Sequence, residues 1–314
     1  MSTLLDEPVR QQSTSPAERL QTTMAAVRVS MSWLGTRKTL TPEQKAEAAE
    51  PFHAEARFIS AGKRLLDTSH PAFKAVTAVR NKVVAFWRSM SLPYPESGIR
   101  LILQSRVDEF AAKMREFQEG LAEAVANLDR HYHELKTAAR QKLGHLYNPG
   151  DYPETLAGMF SIDFDFPSVT PPDYLRQLNP QLYQQECERV QQRFNEAVRL
   201  AEEAFTAELA KLVSHLTERL SGQDDGKPKI FRDSAVENLS EFFRRFWELN
   251  VSSSEQLEQL VAQAQRITRG LDAQDLRDSA ALRQHVATEM SRIGSELDGL
   301  MVDRPRRNIL RRPR

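Results

Sequence analysis

The sequence predicts a mainly α fold: a long antiparallel helical hairpin of coiled-coil type, a small β platform of two to three strands, and a C-terminal helical bundle. Three observations carry that prediction. Two segments of matched length keep apolar residues at three- and four-residue steps over about forty residues each. Two short runs alternate apolar and polar residues with the period of a strand, and the last third of the chain opens with helix-capping pairs. The expected organisation is a disordered lead over 1–22, a strand and helix platform with the long hairpin over 23–221, a smaller helical bundle over 222–301 and a basic disordered tail over 302–314.

The lead, with Gln11, Gln12, Ser13, Thr14, Ser15 and Pro16, is polar and without periodicity. Val27, Val29, Met31 and Trp33 then alternate with Arg28, Ser30 and Ser32, the pattern of a strand with one buried face, closed by Gly35. Thr41, Pro42 and Gln44 open a short helix, because a threonine cap, a proline at the first helical position and a glutamine that bonds back satisfy donors that a helix start leaves unpaired. The stretch Arg57–Leu66 has no clear period. Pro71 to about Met90 reads as a helix through Phe73, Val76, Val83, Val84 and Trp87, ended by Leu92-Pro93-Tyr94-Pro95.

The first long helix is expected from Val107 to about Leu146, with Phe110, Met114, Phe117, Leu121, Ala124, Leu128 and Leu135 on its seam. At 1.5 Å per residue it would span roughly 60 Å. Its counterpart runs from about Gln181 to Leu220 through Tyr183, Cys187, Val190, Phe194, Ala197 and Ala201, and Gly222 supplies the stop. Matched lengths and narrow seams are most simply paired with each other in one chain. Between them Phe160, Ile162, Phe164 and Phe166 alternate with Ser161, Asp163 and Asp165 as a second strand, able to pair with the first. Beyond the loop 223–228, Ser234 with Glu237 and Ser253 with Gln256 have capping-box spacing, and a last helix spans about Ser279 to Leu300.

Residues that could carry chemistry are few. His131 and Glu134 share a face of the first long helix while His133 points away, so a metal site needs further ligands from a partner helix. The second long helix offers His215 alone, with no HExxH and no pair of ExxH motifs, so the reading is solvated or partly buried helix histidines, without metal or cofactor. Cys187 lies on an apolar seam, and its neighbours Glu186 and Glu188 disfavour a thiolate. Asp163 and Asp165 lie on one side of a strand about 7 Å apart, which the polar face of an amphipathic strand explains. There is no GxxxxGK[ST], no GxGxxG after a strand and no GxSxG, so no enzyme class has local support.

Forty-three basic and 43 acidic residues cancel, which leaves no global field toward nucleic acid or an anionic membrane. The tail is the exception. Arg304, Arg306, Arg307, Arg311, Arg312 and Arg314 stand against Asp303 alone, and their guanidinium groups suit phosphate or carboxylate partners. A single cysteine and the lack of a leader or an 18-residue apolar window place the expected protein in the cytoplasm, with no membrane span.

The run Val27-Arg28-Val29-Ser30-Met31-Ser32-Trp33-Leu34-Gly35-Thr36-Arg37-Lys38-Thr39-Leu40-Thr41-Pro42-Glu43 resembles the opening of an uncharacterised bacterial and phage family known only as a domain of unknown function. The resemblance extends to Lys63–Leu66, to the long helix that follows and to the aromatic strand Phe160–Phe166, and covers about residues 24–220. It implies genes of mobile elements and phages, sometimes beside MoxR-type AAA ATPases and von Willebrand factor A-type proteins. The expected function is therefore a non-enzymatic helical adaptor for such a machine, able to form homo-oligomers. The alternative is a DNA- or RNA-associated structural protein that uses the arginine tail.

Overall fold

Helix starts are dictated by side chains that satisfy the first turn. Ser15 accepts from the Glu18 amide while Glu18 accepts from the Ser15 amide, and Thr41 with Gln44 repeats the same reciprocal box, each with proline next to the cap. A computed structural model describes residues 15–221, 223–224, 227–228, 234–251, 254–271 and 273–302. In chain order its elements are α1 (Pro16–Thr23), β1 (Met24–Ser32), β2 (Arg37–Thr39), α2 (Pro42–Ala49), β3 (Gly62–Arg64), α3 (Pro71–Ser89), β4 (Ser91–Pro93), β5 (Ile99–Leu103), α4 (Val107–Arg130), α5 (Tyr132–Leu143) and β6 (Ser161–Asp165). Then come α6 (Tyr174–Leu178), α7 (Pro180–Ser221), β7 (Gln223–Asp224), β8 (Lys227–Pro228), α8 (Ser234–Leu249), α9 (Glu255–Thr268), α10 (Ala273–Asp278) and α11 (Ala280–Val302). The protein is mainly α. Its strands form one sheet in the order β4-β5-β1-β6 and two ribbons, β2-β3 and β7-β8.

The chain divides into two units, each assembled from separated stretches of sequence. The first gathers 1–26, 91–104 and 168–314. Its spine is α7, whose buried stripe Val190, Phe194, Ala197, Ala201, Phe205, Leu209, Val213 and Leu216 packs on α11, α1 and α8. Leu239, Phe242 and Phe246 of α8, Leu260 and Val261 of α9 and Met290, Ile293 and Leu297 of α11 lie in that same core. The C-terminal helices thus share a core with α7. In the β4-β5 hairpin, Leu92 opposes Leu101, and Arg100 donates to the Ser91 hydroxyl at 2.7 Å and carbonyl at 2.8 Å.

The second unit comprises 27–90 and 105–167. Here α3 lies against α4, with Phe86 stacked on Phe110 at 5.5 Å and edge-on to Phe117 at 5.6 Å. The two strand candidates of the sequence do pair: β1 and β6 run antiparallel with Val29 opposite Phe164 and Met31 opposite Ile162. Phe110 meets Phe164 edge-on at 6.0 Å, and Trp33 meets Phe160 at 5.5 Å with the Arg80 guanidinium over the indole.

Several expectations are corrected. Helix α1 lies inside the lead read as disordered. The first long helix is two helices, α4 and α5, interrupted at His131, whose amide reaches back to Leu128 O, three residues away. The second is the single 42-residue α7, as expected. The seams of the expected hairpin serve other partners, α3 for α4 and α11 for α7, because an apolar stripe packs on whichever apolar face the fold brings to it. The platform is larger than two to three strands, since β4 and β5 join its sheet. Helix α9 is capped by Ser254, which accepts from the Leu257 amide; Ser253, the expected cap, and the arginine tail lie outside the described residues.

Candidate functional site

Three features of the second unit stand out, and each is built by residues distant in sequence. The first is a cleft of about 520 Å³ between α4 and the segment leading into β6. Its helical wall carries Leu121, Ala122, Val125 and Ala126, and its other wall Ala157, Gly158, Phe160 and Ile162. Small residues on both walls leave room between the larger apolar side chains: Ala122 and Ala126 are exposed on α4, and Gly158 turns the chain at φ +75°, a conformation that L side chains rarely adopt.

Asp129 fixes one end of the cleft by accepting from the Leu156 amide at 2.8 Å and the Thr155 hydroxyl at 3.2 Å. At the other, Gln118 donates to the Ile162 carbonyl at 2.8 Å. A side chain there takes up a backbone acceptor of β6, the last strand in the sheet order, which has β1 as its strand neighbour. Met159 and Phe166, on either side of β6, remain 37% and 40% exposed, so the apolar surface continues past the cleft.

The second feature is a charge cluster under the β2-β3 ribbon. Asp151, with a side chain only 2% exposed, receives Lys38 Nζ at 2.6 Å on Oδ1 and Lys63 Nζ at 2.6 Å on Oδ2. Lys63 is itself buried and also donates to Leu146 O at 2.6 Å. The hydrogen bond from Lys38, then that from Lys63, holds the Asp151 carboxyl below the usual carboxylate range. Nearby, burial pushes the phenol of Tyr152 up to about 12, with its hydroxyl 2.9 Å from Leu65 O. This cluster joins the ribbon to the 144–151 turn as a charge tie, in which Asp151 Oδ2 meets Lys63 as an ion pair without a well-angled hydrogen bond.

No family model, curated protein or solved structure matches this chain.

The third feature collects the histidines. His131, in the break between α4 and α5, has Nδ1 3.6 Å from Glu134 Oε2, and its ring centroid lies 5.2 Å from that of His70. One ligand atom from each of His70, His131 and Glu134 falls within 4.8 Å of the others. Sequence spacing finds the His131 and Glu134 pair; it misses His70, which caps α3 through Nδ1 and the Ala72 amide. His133 and His215 are exposed. Asp163 accepts from Ser161 and Asp165 pairs with Arg28 at 2.5 Å, so each carboxylate has a partner of its own. Cys187 is half-buried, and Arg304, Arg306, Arg307, Arg311, Arg312 and Arg314 lie outside the described residues. Among the described residues no helix is long and apolar enough to cross a membrane.

Proposed function

We propose that the chain is a non-enzymatic interaction protein that holds an extended segment of a protein partner in the cleft between α4 and β6. The observation that carries this reading is an edge strand beside an open apolar cleft. An extended peptide that adds a strand to a sheet edge gains backbone hydrogen bonds, while alternate side chains enter pockets that give specificity. Ile162 and Phe160 supply the strand side, the alanines of α4 leave room for one or two inserted side chains, and Met159 extends the apolar contact. The sequence resemblance implies an AAA ATPase of the MoxR type or a von Willebrand factor A-type protein as the partner that offers such a segment.

Selection of random displayed peptides on the full chain tests the proposal. Enriched peptides should carry apolar residues at alternate positions, and Ala126→Arg, which fills the cleft from an exposed position and leaves the core intact, should weaken them by about tenfold or more. Peptides that bind this variant as well as the unaltered chain would remove the cleft from the account. Self-association lost in the same variant would replace the peptide by a second copy joined through β6.

A further inference from the structure

We infer that His70, His131 and Glu134 form a binding site for a divalent transition metal, with Zn²⁺ the ion that suits the donors best. Two imidazole nitrogens and one carboxylate oxygen are the donor set of open zinc sites, which keep a further position for water. Their ligand atoms lie within 4.8 Å of one another. A tetrahedral zinc with bonds near 2.0–2.1 Å separates its ligands by roughly 3.3 Å. The 3.6 Å between His131 Nδ1 and Glu134 Oε2 is already close to that edge. The three ligand atoms, all within 4.8 Å, have to draw closer, and Glu134, with a 75% exposed side chain, is free to follow.

The surroundings position these groups. The helix interruption turns His131 toward the start of α3, where His70 is the cap. The turn before His70 is held by Asp67, which accepts from the Ser69 hydroxyl at 2.5 Å and amide at 3.0 Å, and Lys142 of α5 reaches the same carboxylate at 3.1 Å. Leu65 and Leu66 are buried in this turn, as are Leu135 and Ala139 on α5. The stretch bearing His70 and the helix bearing Glu134 are therefore tied independently of any ion.

The site also carries a built-in signature. His70 Nδ1 accepts the Ala72 N–H at 3.3 Å. A metal on Nδ1 takes that lone pair, and a metal on Nε2 drives the ring proton to Nδ1. Either way the Ala72 amide loses its acceptor when the ion binds.

The test is titration of the tag-free full chain with ZnCl₂ by calorimetry, alongside amide spectra of the labelled protein. One equivalent should bind, and the Ala72 amide should shift. Affinity should fall by about tenfold or more in each of His70→Ala, His131→Ala and Glu134→Gln, since even indirect partners of metal ligands contribute that much. His133→Ala should bind as the unaltered chain does. Glu134→Gln changes an exposed side chain and keeps its shape, so its result does not depend on folding. Absent uptake, affinity unchanged in Glu134→Gln and His131→Ala, equal loss in His133→Ala, or an unmoved Ala72 amide in the zinc-loaded protein would each overturn the site.

Discussion

At the scale of single residues, Asp151 is where the physical argument is sharpest. Its carboxylate is almost fully withdrawn from solvent between Lys38 and Lys63, so removing its charge leaves the buried Lys63 ammonium without its counter-ion. Asp151→Asn should destabilise the protein by about 3–5 kcal/mol near neutral pH. Because the folded carboxyl is held below its ordinary value of about 3.9, the wild-type advantage is fully present above that pH. It is lost as pH falls through the folded value. Denaturant melts of both proteins from pH 7 downward should therefore begin to draw together only below about pH 3.9; curves that stay parallel there would mean that the tie is not electrostatic. Sequence could not show this pair, since Lys38 and Asp151 are 113 positions apart and a lysine's burial leaves no periodic trace. The same holds for the histidine cluster. The local spacing of His131 and Glu134 was legible, whereas His70 enters only through the fold.

At the scale of elements, the periodic pattern found helices well and their partners poorly. Most of the α7 seam is legible in the sequence: the buried Val190, Phe194, Ala197 and Ala201 lie where the three- and four-residue steps put them, while Tyr183 and Cys187 of the same stripe are only half-buried. What the pattern lacks is any mark of which apolar face covers a stripe, so two seams of equal length looked made for each other. Nor does it mark the interruption at His131, where neither glycine nor proline stands. Strands β4 and β5 were missed because they are short and β4 coincides with the prolines that end α3. The contact of α7 with α8 is aromatic: Phe205 meets Phe246 of α8 at 5.0 Å and Phe242 at 6.1 Å. Truncating Phe205 or Phe246 to alanine should each cost about 3–5 kcal/mol in urea denaturation. Because the rings touch, the double variant should lose less than the sum. Strict additivity would place the two rings in separate cores.

At the scale of the whole molecule, the two units draw on interleaved stretches of chain, and a reading that advances along the sequence sees consecutive domains instead. The pairing of Val27–Trp33 with Phe160–Phe166 was the exception, because two amphipathic strands announce a shared sheet whatever lies between them. Composition and motifs leave chemistry without local support, and the interaction we propose uses the cleft beside β6, whose alanines and glycine are featureless in the sequence. The most direct measurement is amide hydrogen exchange of the full chain with and without a selected cleft peptide. The account predicts slowed exchange in Ser161–Asp165 and in the flanking Ala157–Phe160, because a bound strand pairs with amides there. Protection confined to another surface, such as the exposed Phe52 and Phe58, with β6 unchanged would contradict it.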